Sequence, residues 1–131
     1  MSINCGIAIK SKEEYKAIYC HHGGYESYMW PMLTKYYNTE ELAEKLVSLA
    51  DASCICERLE PTGEHSFDNP EPGVCVFYHR DRGDDWTHIY PCYYTKDELL
   101  SECYYAYIWE DGKWTAYKGG QINRAVENLK D

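Results

Sequence analysis

YYAYIWEDGKWTAYK, residues 104–118, carries the reading from which the fold is built. Residues 104–110 and 113–118 are rich in aromatic side chains, and Asp111-Gly112 between them suits the two-residue type I′ turn, whose geometry matches strand twist. A β-hairpin follows. Moving toward the N-terminus, residues 74–80 and 86–94 are β-branched and aromatic and flank DRGDD at 81–85, which predicts another hairpin. Pro91 demotes the far end of its second strand to an edge or a bulge. Residues 3–10 and 15–21 alternate across the polar run Ser11-Lys12-Glu13-Glu14 and predict a hairpin at the start of the chain.

Helices fall between these hairpins. Residues 39–50 place Leu42, Leu46 and Leu49 beside Ala43, Val47 and Ala50 on one face, with Asn38 as the expected N-cap and Glu41 at the capping-box position. Thr95 and Glu98 form a second capping box, opening a helix to about Cys103 that turns Leu99, Leu100 and Cys103 inward. Residues 21–30 read as a glycine-bearing loop, and residues 29–37 as a short helix around Pro31. Residues 51–73 hold three prolines and two glycines with little periodicity, a long loop of the kind that often serves function unless residues 53–59 form a turn or strand. Ile122, Val126 and Leu129 predict a short C-terminal helix. Together these elements predict one α+β domain over residues 1–131, with a mainly antiparallel sheet built from hairpins and helices packed on one face. The other face would be solvated or meet a partner, a second copy included.

The chain has 131 residues, 44% hydrophobic and 27% charged, the balance of an ordinary globular domain. No apolar run approaches the roughly 18 residues of a membrane span, and residues 1–10 lack a basic region followed by a hydrophobic one. A soluble, unprocessed, cytoplasmic protein is expected. Seven cysteines, an odd number without a CxxC, read as reduced and mostly buried thiols. Fourteen tyrosines against two phenylalanines favour contact surfaces, because each ring can bury a face and keep a hydroxyl for a hydrogen bond.

The formal charge is −9, and residues 40–71 hold nine acids against only Lys45 and Arg58. Binding phosphates needs clustered Lys and Arg, so nucleic acid and anionic membranes are poor direct partners and a basic protein surface is a better one. No P-loop or dinucleotide motif accompanies Gly23-Gly24 or Gly119-Gly120. Cys20, His21, His22, Cys54, Cys56 and His65 include metal-ligand types, but no zinc-site spacing joins them, so neither metal nor cofactor is expected. His65, Ser66, Asp68, His79, Arg80, Asp81 and Arg82 contain the donors, acceptors and cations of a hydrolase or phosphate site. Read as strand neighbours, His79 and Asp81 would share one side and Arg80 and Arg82 the other, gripping a phosphate or pairing with acids across a turn. Aromatic residues gather in two places, Tyr25, Tyr28, Trp30, Tyr36 and Tyr37 around the first loop and Trp86, Tyr90, Tyr93 and Tyr94 in the second hairpin. Such residues anchor interfaces or fill cores.

HSFDNP at residues 65–70 and RDRG at 80–83, with CHHGGY at 20–25 and YYNTEE at 36–41, resemble a family of small bacteriophage and prophage accessory proteins. The resemblance covers residues 3–117 and implies a setting rather than a chemistry. Small acidic proteins of that setting commonly inhibit host defence, anti-CRISPR proteins among them. The leading expectation is a non-enzymatic inhibitor that docks on a basic, nucleic-acid-binding surface of a host defence complex. Glu57, Glu60, Glu64 and Asp68 would supply the charge and Tyr25, Tyr28 and Trp30 the anchors. One alternative is a sponge for a nucleotide immune signal, held by His79, Arg80 and Arg82. Another is a metal-dependent phosphodiesterase or nuclease using His65, Asp68, His79 and Asp81.

Overall fold

The computed structural model describes residues 3–118 in the order β1 (Cys5–Ser11), β2 (Glu14–Cys20), α1 (Glu26–Tyr36), α2 (Glu40–Ser48), β3 (Ala52–Cys54), β4 (Val76–Phe77), α3 (Tyr78–Arg82), α4 (Trp86–Ile89), β5 (Cys92–Tyr94), α5 (Lys96–Glu102), β6 (Tyr105–Glu110) and β7 (Lys113–Lys118). The first and last hairpins form as the sequence predicts. Asp111 and Gly112 take φ of 54° and 77°, the two positive values a type I′ turn requires. These hairpins lie side by side, β1 parallel to β6 with Ile7 opposite Tyr107 and Ile9 opposite Trp109. The strand order is β4-β3-β2-β1-β6-β7, with β5 also on β2, a mixed sheet within an α+β domain. Of its two parallel strand pairings, β2–β3 joins successive strands across α1 and α2, whereas β1–β6 joins strands far apart in the chain.

Alternation along the central strands divides the core. Ile7, Ile9, Tyr107 and Trp109 face Met29 and Leu33 of α1 and Ala43, Leu46 and Val47 of α2. Ala8, Ala17, Ala106 and Ile108 face Leu99 and Leu100 of α5. Helices therefore cover both faces of the sheet, not one as expected, and β1 is buried on both sides. Small residues let α5 lie close: a Cβ on Gly6 would meet Cys103 Sγ at 2.6 Å.

The second expected hairpin is absent. Val76 and Phe77 pair with β3, and β5 pairs with β2, while the residues between fold as two short helices. Local polar bonds override the β-branched and aromatic composition. Asp81 Oδ2 accepts from Phe77 N–H, Gly83 ends α3 at φ 82°, and Asp85 caps α4 through Thr87 N–H. A similar correction applies to α2, whose N-cap is Thr39, accepting from Leu42 N–H, rather than Asn38. The expected α5 capping box is present in both of its bonds.

The outer edge of β2 is shared between two short strands. Tyr15, Lys16 and Ala17 pair with Tyr94, Tyr93 and Cys92, whereas Cys20 pairs in parallel with Ala52. In the interval, Tyr19 N–H donates to Asp51 Oδ1 at 2.9 Å, so a carboxylate stands where a strand carbonyl would. Among the described residues no helix is long and apolar enough to cross a membrane. The helix predicted around Ile122, Val126 and Leu129 lies outside the described residues.

Candidate functional site

The cationic cluster of the sequence reading sits on α3, a helix, so His79 and Asp81 do not share a strand face. Arg80 bonds Asp81 through Nε at 2.9 Å and Nη2 at 3.1 Å, Leu59 O through Nη1 at 2.6 Å and Cys75 O through Nη2 at 2.9 Å. All three of its nitrogens are engaged within the fold. Arg82 grips Asp84 through two bonds of 2.7 Å and lies over the rings of Phe67 and Tyr78. His79 Nδ1 bonds Asp84 O, and its ring packs edge-on to Trp86. These residues form a bracing network rather than an open phosphate grip.

His65 and Asp81 do come together, but in the interior. His65 Nδ1 accepts from Glu71 N–H at 2.9 Å, so in the neutral ring Nε2 carries the proton and faces Asp81 Oδ2 at 3.3 Å. Their side chains are 1% and 5% exposed, which closes the pair to any substrate. Burial pushes the Asp81 carboxyl up, but the Arg80 guanidinium and the Phe77 amide outweigh it and hold the group below its ordinary value. HSFDNP folds as a turn in which Ser66 Oγ accepts from Asn69 N–H at 3.1 Å. No group of three or more His, Cys, Asp or Glu is placed to hold a metal ion among the described residues.

Residues 51–73 are tied down by their inward-facing acids. Glu71 accepts from Thr62 N–H, Thr62 Oγ1 and Gly63 N–H and pairs with Arg58 Nη1 at 3.0 Å. The Thr62 hydroxyl first, then the Gly63 amide and the other donors, hold its carboxyl at about 2. Glu57, Glu60, Glu64 and Asp68 are exposed, Glu60 lying 3.8 Å from Lys45 Nζ. Of the expected anchors, Tyr25 is exposed, whereas Trp30 packs against the core and Tyr28 donates to Ile55 O at 2.6 Å. The latter two are half-buried and also serve the fold.

Where the edge of β2 is split, a groove of about 260 Å³ opens between β2, α4, β5 and α5. Ala17, Ile18 and Leu99 lie along it, and Tyr19, Tyr90 and Tyr94 bring aromatic rings to it. Tyr19 and Tyr90 are 39% and 48% exposed. Asp51, Glu102 and His88 are its charged or titratable rim, and among the described residues none that lines it is Lys or Arg. Burial pushes the Asp51 carboxyl up, partly countered by the Tyr19 amide. Burial also raises the Cys5 and Cys103 thiols that line the groove, the latter to about 11, so they stay protonated and unreactive. Aromatic faces, two carboxylates and an aliphatic floor suit the stem and charged head of a lysine or arginine side chain. Tyr90 and Tyr94 belong to the aromatic set visible in the sequence. Tyr19, Asp51 and Glu102 carry no sequence signal, because what unites them is the break in the β2 edge.

Compared with known proteins, the chain matches no family model, no curated protein and no solved structure.

Proposed function

We propose that this chain is a non-enzymatic binding protein that docks on a basic, nucleic-acid-binding surface of a host defence complex and blocks it. The phage setting rests on the resemblance carried by HSFDNP and RDRG. The observation that carries the binding mode is the division of labour among the acids. Glu71 and Asp81 brace the fold, while Glu57, Glu60, Glu64 and Asp68 stand exposed on the loop so braced. Pre-ordering removes an entropic cost of association, and exposed charge steers a cationic partner. The groove adds a receptacle for one basic side chain of that partner, with Tyr19 and Tyr90 at its mouth.

The two alternatives find less support. A nucleotide sponge needs cations for phosphate, and Arg80 and Arg82 are spent on Asp81 and Asp84. A phosphodiesterase needs an accessible base, and His65 and Asp81 are enclosed. The test uses a purified CRISPR effector complex in surface-binding measurements with and without its nucleic acid. Nucleic acid should compete with the protein, and the variant Glu57→Gln/Glu60→Gln/Glu64→Gln/Asp68→Asn should associate at least tenfold more slowly at low salt. Unchanged association by the neutralised variant overturns the charge-mimicry reading.

A further inference from the structure

Cys54 and Cys56 stand two residues apart at the end of β3, on either side of the fully buried Ile55. Both thiols are half-buried rather than enclosed, and side chains two residues apart in extended chain turn to the same side. The backbone around them is pinned from three directions. Ile55 O accepts from the Tyr28 hydroxyl at 2.6 Å, Cys56 O accepts from the Tyr37 hydroxyl, and Cys56 N–H donates to Cys75 Sγ at 3.2 Å. The pairing of β3 with β4 shifts register between Ala52 and Cys54, so the ladder is already irregular where the thiols lie. Neither the fold nor the binding surface uses this pair.

We propose that Cys54 and Cys56 form a redox-active dithiol that reacts with low-molecular-weight disulfides, Cys56 attacking and Cys54 resolving. The Cys56 thiolate attacks one sulfur of the small disulfide. That S–S bond breaks, a mixed disulfide forms on Cys56, and the first small thiolate leaves and takes up a proton. Cys54 then loses its proton and attacks Cys56 Sγ, forming the Cys54–Cys56 bond and expelling the second small thiolate, which is protonated in turn. Two protein thiols are oxidised by two electrons and one small disulfide is reduced to two thiols. An attacking cysteine beside a resolving one is the arrangement of thiol redox sensors.

The order of attack follows from the surroundings of the two thiols. The neighbouring Cys54 thiol favours the Cys56 thiolate and outweighs burial, bringing it down to about 7. The neighbouring Cys56 and then burial push the Cys54 thiol up. Cys56 is therefore the thiol of the pair that ionises first.

The reduced full chain, incubated with excess glutathione disulfide, capped with N-ethylmaleimide and mapped by mass spectrometry, tests the pair. The product should be lighter by two hydrogens, with Cys54 and Cys56 the two uncapped positions. Cys54→Ser should instead retain one glutathione, on Cys56, and Cys56→Ser should retain none at Cys54. Limiting iodoacetamide on the unaltered chain at pH 7 asks the same question without a substitution, and should alkylate Cys56 ahead of the other six cysteines. A disulfide mapped to another pair, or preferential alkylation of another cysteine, overturns the proposal. So does a Cys54→Ser variant with native circular dichroism and no adduct on Cys56.

Discussion

Removing the Arg80 guanidinium strands the Asp81 carboxylate in the interior and deprives Leu59 O and Cys75 O of their donor. Arg80→Met should therefore cost about 3 kcal/mol of unfolding free energy, read from the midpoint of a urea titration. A phosphate-binding Arg80 would be replaceable at no such cost. Glu71 makes a second prediction, through pH. Its carboxyl is held at about 2 in the folded chain against an ordinary 4.5, so the bracing it provides is complete above 4.5 and is lost as the pH falls toward 2. Limited proteolysis should nick residues 59–73 faster below pH 4.5, and Glu71→Gln should already be nicked fast at pH 7. Equal nicking of the unaltered chain at pH 7 and pH 3 would remove Glu71 from that role.

Elements whose signals are local were legible in the sequence. The Asp111-Gly112 turn and the Thr95–Glu98 capping box each specify their geometry within a few residues, and both stand as read. The N-cap of α2 was misplaced by one residue because Asn38 and Thr39 are both good caps, and only the bond from Leu42 N–H decides between them. Thr39→Ala should cost about 1 kcal/mol in the same titration and Asn38→Ala a few tenths or less. Residues 78–89 misled for a different reason. Their aromatic content argues for strand, while the bond from Phe77 N–H to Asp81 and the left-handed Gly83 close a helical turn that composition does not register. The candidate site was the least legible part. Its acids and aromatic rings were countable, but which of them brace the fold was a matter of partners distant in the chain: Tyr28 with Ile55, Arg80 with Leu59, Tyr19 with Asp51.

At the scale of the whole molecule, the proposed binding mode gives charge and shape separate parts. On that proposal the exposed acids of residues 57–68 would set the rate of encounter, which salt should slow, while the groove beside β2 would set how long a basic side chain stays. Tyr90→Ala with Glu102→Gln should shorten the residence time on the effector complex roughly tenfold and leave the association rate and the urea midpoint unchanged. A slower association with unaltered residence would place the groove outside the contact. The parallel seam between β1 and β6 has a consequence of another kind. Ile7 meets Tyr107, so the strand buried on both faces is translated early and its partner late. At about 5–20 residues per second the ribosome needs roughly 5–20 s to bridge that interval. Throughout it the β1–β2 segment lacks the strand that covers its edge, so its apolar residues are open to aggregation until β6 arrives.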